Sequence, residues 1–412
     1  MQQPAVFRIE SLRVKNYRSL RDVQLRKITP LAVFLGPNGG GKSTLLDVFA
    51  FLAECFTVGL RRAWDKRGRF RHLQTCASDG PIEFELKYRE KSGTPIITYH
   101  LGIDEALQGP FVESEWMSWR CGNRGRPFRF LDFRYGEGCV TASEKPNEGA
   151  EQTNEQFDDP STLAVSALGK LRRYPRLVAF RRFITSWHLS HLSADATHGI
   201  AEAGLQERLS ETGDNLPNVI QYLKERHPRH LRKILSVLSN QVPRLEKVDA
   251  ELMADDRLLL QIKDAPFEQP ILAKFASNGT LKLLSYLTLL HGPEFVPFIG
   301  IGEPENYLHP RLLPSLTEEC RMASTWSQLM ITTHSPDFVN ELHADEVWVL
   351  YRDEKGFTVC KRTTDMRGIN ELMETGGKLG HLWMEGGFDC GDPLTNSGGP
   401  IQRDGIHINS SH

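Results

Sequence analysis

Residues 31–49 read LAVFLGPNGGGKSTLLDVF. Leu31 to Leu35 form a continuous apolar run of the length of a buried strand. Gly36, Pro37, Asn38, Gly39, Gly40 and Gly41 then let the backbone turn so that successive N–H groups converge on a phosphate. Lys42 is placed to reach β- and γ-phosphates, the Ser43 hydroxyl to complete a Mg²⁺ shell, and Thr44 follows in the same first turn. Leu45, Leu46, Val48, Phe49 and Leu52 make the apolar stripe of a helix predicted from Ser43 to about Phe56. Its positive end faces the same anion. A glycine-rich turn without function needs no strand, lysine and helix in this order. The stretch therefore predicts a nucleotide site.

Working outward, FRIESLRVKNYRSL, DVQL and LAVFLG predict two or three strands before the loop. IEFELKYRE, TPIITYHLGI and FRFLDFRYG predict more strands between 81 and 135. The polar segment 143–160 (SEKPNEGAEQTNEQFDDP) reads as an exposed loop, and 161–240 as mostly helical. Strand character returns near 244–263, and from 270 helices and strands alternate. There is no internal repeat and no sustained heptad pattern, which argues against a long coiled-coil arm. The expected division is 1–140 and 244–365 as two parts of one nucleotide-binding domain, 141–243 as a mostly helical insertion, and 366–412 as a Gly/Ser/Asn-rich tail.

With 412 residues, 40% hydrophobic and 25% charged, the chain has the composition of an ordinary globular protein. Its net charge of −2 means that any nucleic-acid site must be a local patch. Seven scattered cysteines without a CxxC pair fit reduced thiols better than a disulfide framework or a zinc site. MQQPAVFRIESL lacks the apolar core of a signal peptide, and no apolar run approaches the ~18–20 residues of a membrane span. The expected location is the cytoplasm.

Far downstream, Ser277-Asn278-Gly279-Thr280 precedes the apolar helix pattern LKLLSYLTLL. PFIGIGEPE (297–305) is an apolar strand ending on acids, and LMITTHSP (329–336) is another ending on His334. This order of motifs resembles the ABC-type ATPases, and within them the RecF, SMC, Rad50 and OLD-like branch. NYRSL (16–20), EPENYLHP (303–310) and TTHSP are similar to those of stand-alone bacterial AAA-family ATPases. The resemblance spans roughly 7–60 and 270–360, and extends more loosely to GHLWMEGGFDCGDP. It implies an α/β fold, a P-loop NTPase of ABC-ATPase type. A mixed sheet flanked by helices would carry an antiparallel β lobe and a largely helical insertion.

The same resemblance implies roles for single residues. Glu303 matches the carboxylate that polarises the attacking water, and His334 the histidine that contacts the γ-phosphate. Ser277 and Gly279 match the signature that closes over a nucleotide held by a second copy, which makes an ATP-dependent homodimer the expected assembly. Arg18 and Ser19 match a segment near the nucleotide, and Gln74 is a candidate for the Mg²⁺-sensing glutamine. Glu305 and His309 are interface candidates. ATP and Mg²⁺ are the implied ligands. Taken singly, His334 would read as a strand-end histidine and Ser277 as a helix N-cap.

Gly302 stands where the first of two adjacent carboxylates is usual, and Asn278 where the signature commonly has Asp. The expected consequence is slow hydrolysis with near-normal nucleotide affinity, raised again by Gly302→Glu unless Glu305 compensates. Losing a group from a metal's outer shell typically costs about 10–100-fold.

RRAWDKRGRFRHL (61–73) and KLRRYPRLVAFRRF (170–183) interleave cations with aromatics, as a nucleic-acid surface does, although such runs are often solvated or internally paired faces. Two readings of function follow. One is an ATP-gated, DNA-engaging motor or clamp in genome maintenance or anti-phage defence. The other is a nucleotide-sensing scaffold controlling a separately encoded nuclease or toxin. OLD-type relatives carry a C-terminal nuclease with a glutamate and a DxD pair, for which the chain after TTHSP is too short. Glu385, Asp389 and Asp392 have the wrong spacing for its metal site. A transporter is disfavoured by the NYRS segment and the absence of an apolar span, and a kinase by the lack of an acceptor lid.

Overall fold

The computed structural model describes residues 7–120, 127–142, 152–193, 196, 201–388 and 390–391. Asp389 and Asp392, and nearly all of the tail after 388, lie outside the described residues.

The strand before the glycine loop, β3 (Leu31–Leu35), lies inside a six-stranded sheet. It pairs in parallel with β16 (Gln328–Thr333) on one side and β17 (Val347–Arg352) on the other. β15 (Phe298–Gly302) lies beyond β16, and β10 (His188–Ser190) beyond β15, both parallel. β18 (Thr358–Arg362) closes the other edge antiparallel to β17. All five residues of β3, β15 and all six of β16 are buried, which is why they read as unbroken apolar runs rather than alternating ones.

The two faces of β3 serve different cores. Ala32 and Phe34 face the core that includes α1 (Lys42–Thr57), while Leu31, Val33 and Leu35 face the core that includes the helix Asn278–His291. On β15 the same alternation puts Phe298 on the α1 side, 4.9 Å edge-on to Phe49, and Ile299 and Ile301 on the other. Gly300 and Gly302 share Phe298's face by the period of two.

Over α1 lies an eight-stranded antiparallel sheet: β2 (Leu20–Arg26), β1 (Arg8–Tyr17), β4 (Ile82–Arg89), β5 (Ile97–Ala106), β6 (Gly109–Trp119), β7 (Phe128–Arg134), β8 (Glu137–Thr141) and β9 (Gln152–Gln156), in that order. This is the expected β lobe. Strand β4 alternates buried and half-buried residues, as a sheet covered on one face should. A third, small sheet joins β12 (Leu245–Leu252) and β13 (Arg257–Asp264) with the two-residue β11 (Ala201–Glu202) and β14 (Ile271–Leu272).

The exposed loop expected over 143–160 differs from what is found. Residues 152–156 form β9, paired with β8 at the edge of the lobe. An edge strand with four of five residues exposed carries no apolar alternation for a sequence reading to detect. The 141–243 segment supplies helices at Ala164–Leu168, Pro175–Thr185, Leu216–Arg226 and Pro228–Gln241. It also lends β10 to the parallel sheet, so it is built into the domain rather than hung upon it.

Glu115 on β6 is fully buried and caps the helix Ala164–Leu168, accepting from the N–H groups of Ala164 and Val165 (3.2 Å) and from Tyr99 Oη (3.0 Å). Burial raises its carboxyl pKa to about 7, against the hydrogen bonds that favour the anion. Because the folded value lies above the unfolded one, this contribution to stability is complete below pH ~4.5 and lost as pH rises through ~7, about 3 kcal/mol in all. Urea midpoints at pH 5 and pH 8 should therefore diverge more for the native chain than for Glu115→Gln. Parallel shifts would remove Glu115 as the cause.

Candidate nucleotide site

The glycine loop bends between β3 and α1 around atoms of the neighbouring strands. A Cβ on Gly36 would overlap the Leu350 carbonyl, and one on Gly40 would lie 2.8 Å from the same oxygen. Gly41 caps α1 with φ 101°, a left-handed conformation that favours glycine, and a Cβ there would overlap Thr358 Oγ1. Among the described residues no side chain caps the helix, so its first-turn N–H groups are open to an anion. Lys42 is buried, and its Nζ donates to Gly36 O (2.8 Å) and Pro37 O (3.1 Å). Burial lowers its pKa, while Glu303 and Glu305 pull it back up. Ser43 is exposed and Thr44 half-buried at the same helix start. Arg352 Nε, unremarked in the sequence, holds Gly39 O from the outer side at 2.7 Å.

The NYRSL turn braces this loop rather than lying apart from it. Ser19 Oγ accepts from Thr358 Oγ1 (2.9 Å), the hydroxyl against which Gly41 packs. Arg18 pairs with Asp47 on α1 at 3.0 Å, and Asp47 also accepts from Tyr17 Oη (2.6 Å) and pairs with Arg67 (2.9 Å). Gln74 turns to Gly80 O at 3.0 Å.

The acidic wall comes from the ends of β15 and β16. Gly302 pairs with Thr332 and Thr333 with Leu35, so Glu303, His334 and Gly36 leave three adjacent parallel strands at one edge. Glu303 has φ 47°, a strained conformation for a non-glycine residue, held by its N–H on Thr332 O (2.8 Å). Its carboxylate accepts from Asn306 Nδ2 (3.1 Å) and stands 3.8 Å from His334 Nδ1. Glu305 Oε1 accepts from Thr333 Oγ1 and the His334 N–H, each at 2.8 Å, and lies 3.2 Å from His334 Nδ1. Glu305 therefore orients His334 from beneath, while its Oε2 is buried with no hydrogen-bond partner among the described residues. Lys282, also missed in the sequence, donates to Glu303 O at 3.4 Å. Burial lowers its pKa to about 8 against the pull of Glu305 and Glu303.

The place of a side chain at 302 is taken. A Cβ on Gly302 would overlap Cε1 and Nδ1 of His191 and lie 3.2 Å from its Nε2. Gly302→Glu is therefore more than the return of a carboxylate; it must first expel an imidazole. Ser277 precedes the helix Asn278–His291 in an extended conformation, and its exposed hydroxyl makes no cap hydrogen bond. A Cβ on Gly279 would lie 2.8 Å from Tyr307 O, so the helix start and the loop after Glu303 are packed together. His309 lies on the surface, accepting from its own turn at Arg311 N (3.2 Å).

The two basic runs are largely committed within the fold. Trp64 is buried, Arg67 is bound to Asp47 and Glu54, Lys66 to Glu54 (2.5 Å), and Arg69 to Asp65 (3.2 Å). In 170–183, Arg173 pairs with Glu155 (3.0 Å), Arg176 stacks on Trp119 (4.6 Å) and Arg181 donates to Phe56 O (3.1 Å). Arg62, Arg71, Lys170, Arg172 and Arg182 are exposed.

Compared with known proteins, the chain is similar to an SMC head bound to the C-winged helix domain of ScpA. The two agree with TM-score 0.55 over 87% of this chain and 99% of that one, at 14% identity. The fold is that of an ABC-type ATPase head. Residues 11–93 match a family described as "AAA domain". Residues 143–340 match one described as "AAA domain, putative AbiEii toxin, Type IV TA system". An SMC head domain from Thermotoga maritima is similar at 13% identity (TM-score 0.45, 86% of this chain and 98% of that one). So is a Pyrococcus furiosus Smc head with an extended coiled coil (14%, TM-score 0.49, 90% and 100%). No curated protein matches significantly.

The residues of the head fit a nucleoside triphosphate. The cradle admits no Cβ at Gly36, Gly40 or Gly41, and a buried ammonium spends its hydrogen bonds on loop carbonyls it can leave. Among the described residues no three His, Cys, Asp or Glu side chains form a metal cage. A Mg²⁺ ion leans on phosphate oxygens and waters, and Ser43, exposed at the helix start, is the residue that would hold it here. Among the described residues no helix is long and apolar enough to cross a membrane.

Proposed function

We propose that this head binds ATP with Mg²⁺ on the Gly36–Thr44 loop and hydrolyses it slowly, as a homodimer that closes around the nucleotide. The observation carrying this reading is the convergence of Lys42, Glu303 and His334 at one edge of three adjacent parallel strands. Lys42 would exchange its loop carbonyls for β- and γ-phosphate oxygens. Glu303, held by its backbone and by Asn306, would orient the attacking water and take its proton. His334, set by Glu305, would donate to the γ-phosphate. A bound Mg²⁺ would neutralise charge developing on the phosphates. Ser277, Gly279 and the positive end of their helix would close the site of the other copy. Arg18 would act through Asp47 by bracing α1. Gly302 removes one carboxylate, so turnover suffers more than binding. Calorimetric ATP titration and phosphate release by the purified chain test this: binding with slow release is expected, and no binding would refute it.

For the pathway, the pairing within the basic runs favours a partner protein over DNA. The toxin wording belongs to the family matched at 143–340, and ScpA binding belongs to the SMC head. Both support a head that works with another polypeptide, in defence or genome maintenance, with a separately encoded nuclease or toxin as effector. Turnover raised by a co-purifying protein, and not by DNA, is the expected result. Stimulation by DNA alone, lost steeply with salt, would favour the DNA-engaging reading through the exposed cations of 61–73 and 170–183.

A further inference from the structure

The imidazole of His191 occupies the space that the Cβ of any side chain at position 302 would fill. β10 runs parallel to β15 with Ser190 opposite Ile301, so His191 emerges beside Gly302. Its N–H is anchored on Glu211 O at 2.8 Å, its ring is exposed, and both ring nitrogens lie near where a Cβ of residue 302 would be. Residue 302 faces the α1 side of the sheet, the side on which Ser43 opens that helix. Elsewhere along the edge Glu303 and His334 already face each other, so His191 adds a nitrogen at the one place where an oxygen is missing.

We infer that His191 replaces the missing carboxylate as a nitrogen donor to the metal–nucleotide complex, shifting the site from Mg²⁺ toward divalent transition ions. The inference rests on the nucleotide reading above. Imidazole is a poor partner for Mg²⁺, which prefers oxygen, and a good one for first-row transition ions. Replacing an aspartate's oxygens by imidazole therefore changes which ion is preferred, beyond weakening the site.

The test uses the whole chain with a non-hydrolysable ATP analogue and Mn²⁺ as a spectroscopic probe. Pulsed electron paramagnetic resonance should show ¹⁴N coupling to the bound Mn²⁺, changed to ¹⁵N on labelling the histidines. The coupling should vanish in His191→Ala and persist in His334→Ala. In His191→Ala the ratio of Ni²⁺ to Mg²⁺ affinity in the nucleotide complex should fall by about 10-fold or more. His191→Ala combined with Gly302→Asp should recover Mg²⁺ binding without the nitrogen signal. Nucleotide bound through Lys42 with no ¹⁴N coupling and an unchanged ratio overturns this inference alone. Failure of the native chain to bind nucleotide overturns it together with the proposed function.

Discussion

Lys42→Ala is expected to weaken ATP binding by about 10- to 100-fold and to abolish measurable turnover. A hydrogen bond to a charged group contributes roughly 1.5–3 kcal/mol when its partner is otherwise unpaired. Lys42 is buried, and its ammonium donates to two loop carbonyls, Gly36 O and Pro37 O. The loop itself should survive the change. Its path is set by the close approach of Gly36 and Gly40 to Leu350 and of Gly41 to Thr358, none of which involves the ammonium. Titration calorimetry with ATP, beside a thermal melt of the free protein, separates the two effects. An unchanged melt with lost affinity is the expected pair. Native affinity in Lys42→Ala would move the nucleotide elsewhere.

Glu303→Gln should lower turnover by about 10²- to 10⁴-fold while leaving ATP affinity close to native. The amide keeps the size of the side chain and its contact with Asn306 but cannot take a proton. Glu305→Gln should behave differently. Glu305 receives Thr333 Oγ1 and the His334 N–H on one oxygen, which the amide keeps, so the change removes the negative charge 3.2 Å from His334 Nδ1 and orients that ring less firmly. Single-turnover measurements of both variants would show a chemical defect in the first and loosened positioning in the second. Equal, mild effects would take Glu303 out of the role of base.

Much of this site was legible because its parts are continuous in sequence. The strand, glycine turn and helix of 31–57 follow one another without interruption, and Glu303 and His334 each end a buried apolar run. What escaped notice depends on partners far apart in the chain. His191 follows a three-residue strand, too short to show any period, and meets Gly302 only through sheet pairing. Lys66 and Arg67 read as free cations of the 61–73 run because their counter-charges, Asp47 and Glu54, lie a helix earlier. Lys282 sits in an apolar helix where its approach to Glu303 has no local signal. β9 is polar on both faces, and only the edge of a sheet allows that.

The most direct test of the central claim is sedimentation of Glu303→Gln with and without ATP, with bound nucleotide counted. A monomer without ATP, and with ATP a dimer holding two nucleotides that is lost in Ser277→Arg and in Lys42→Ala, is the result expected. A chain that stays monomeric when saturated with ATP would contradict closure of each site by Ser277 and Gly279 of a second copy.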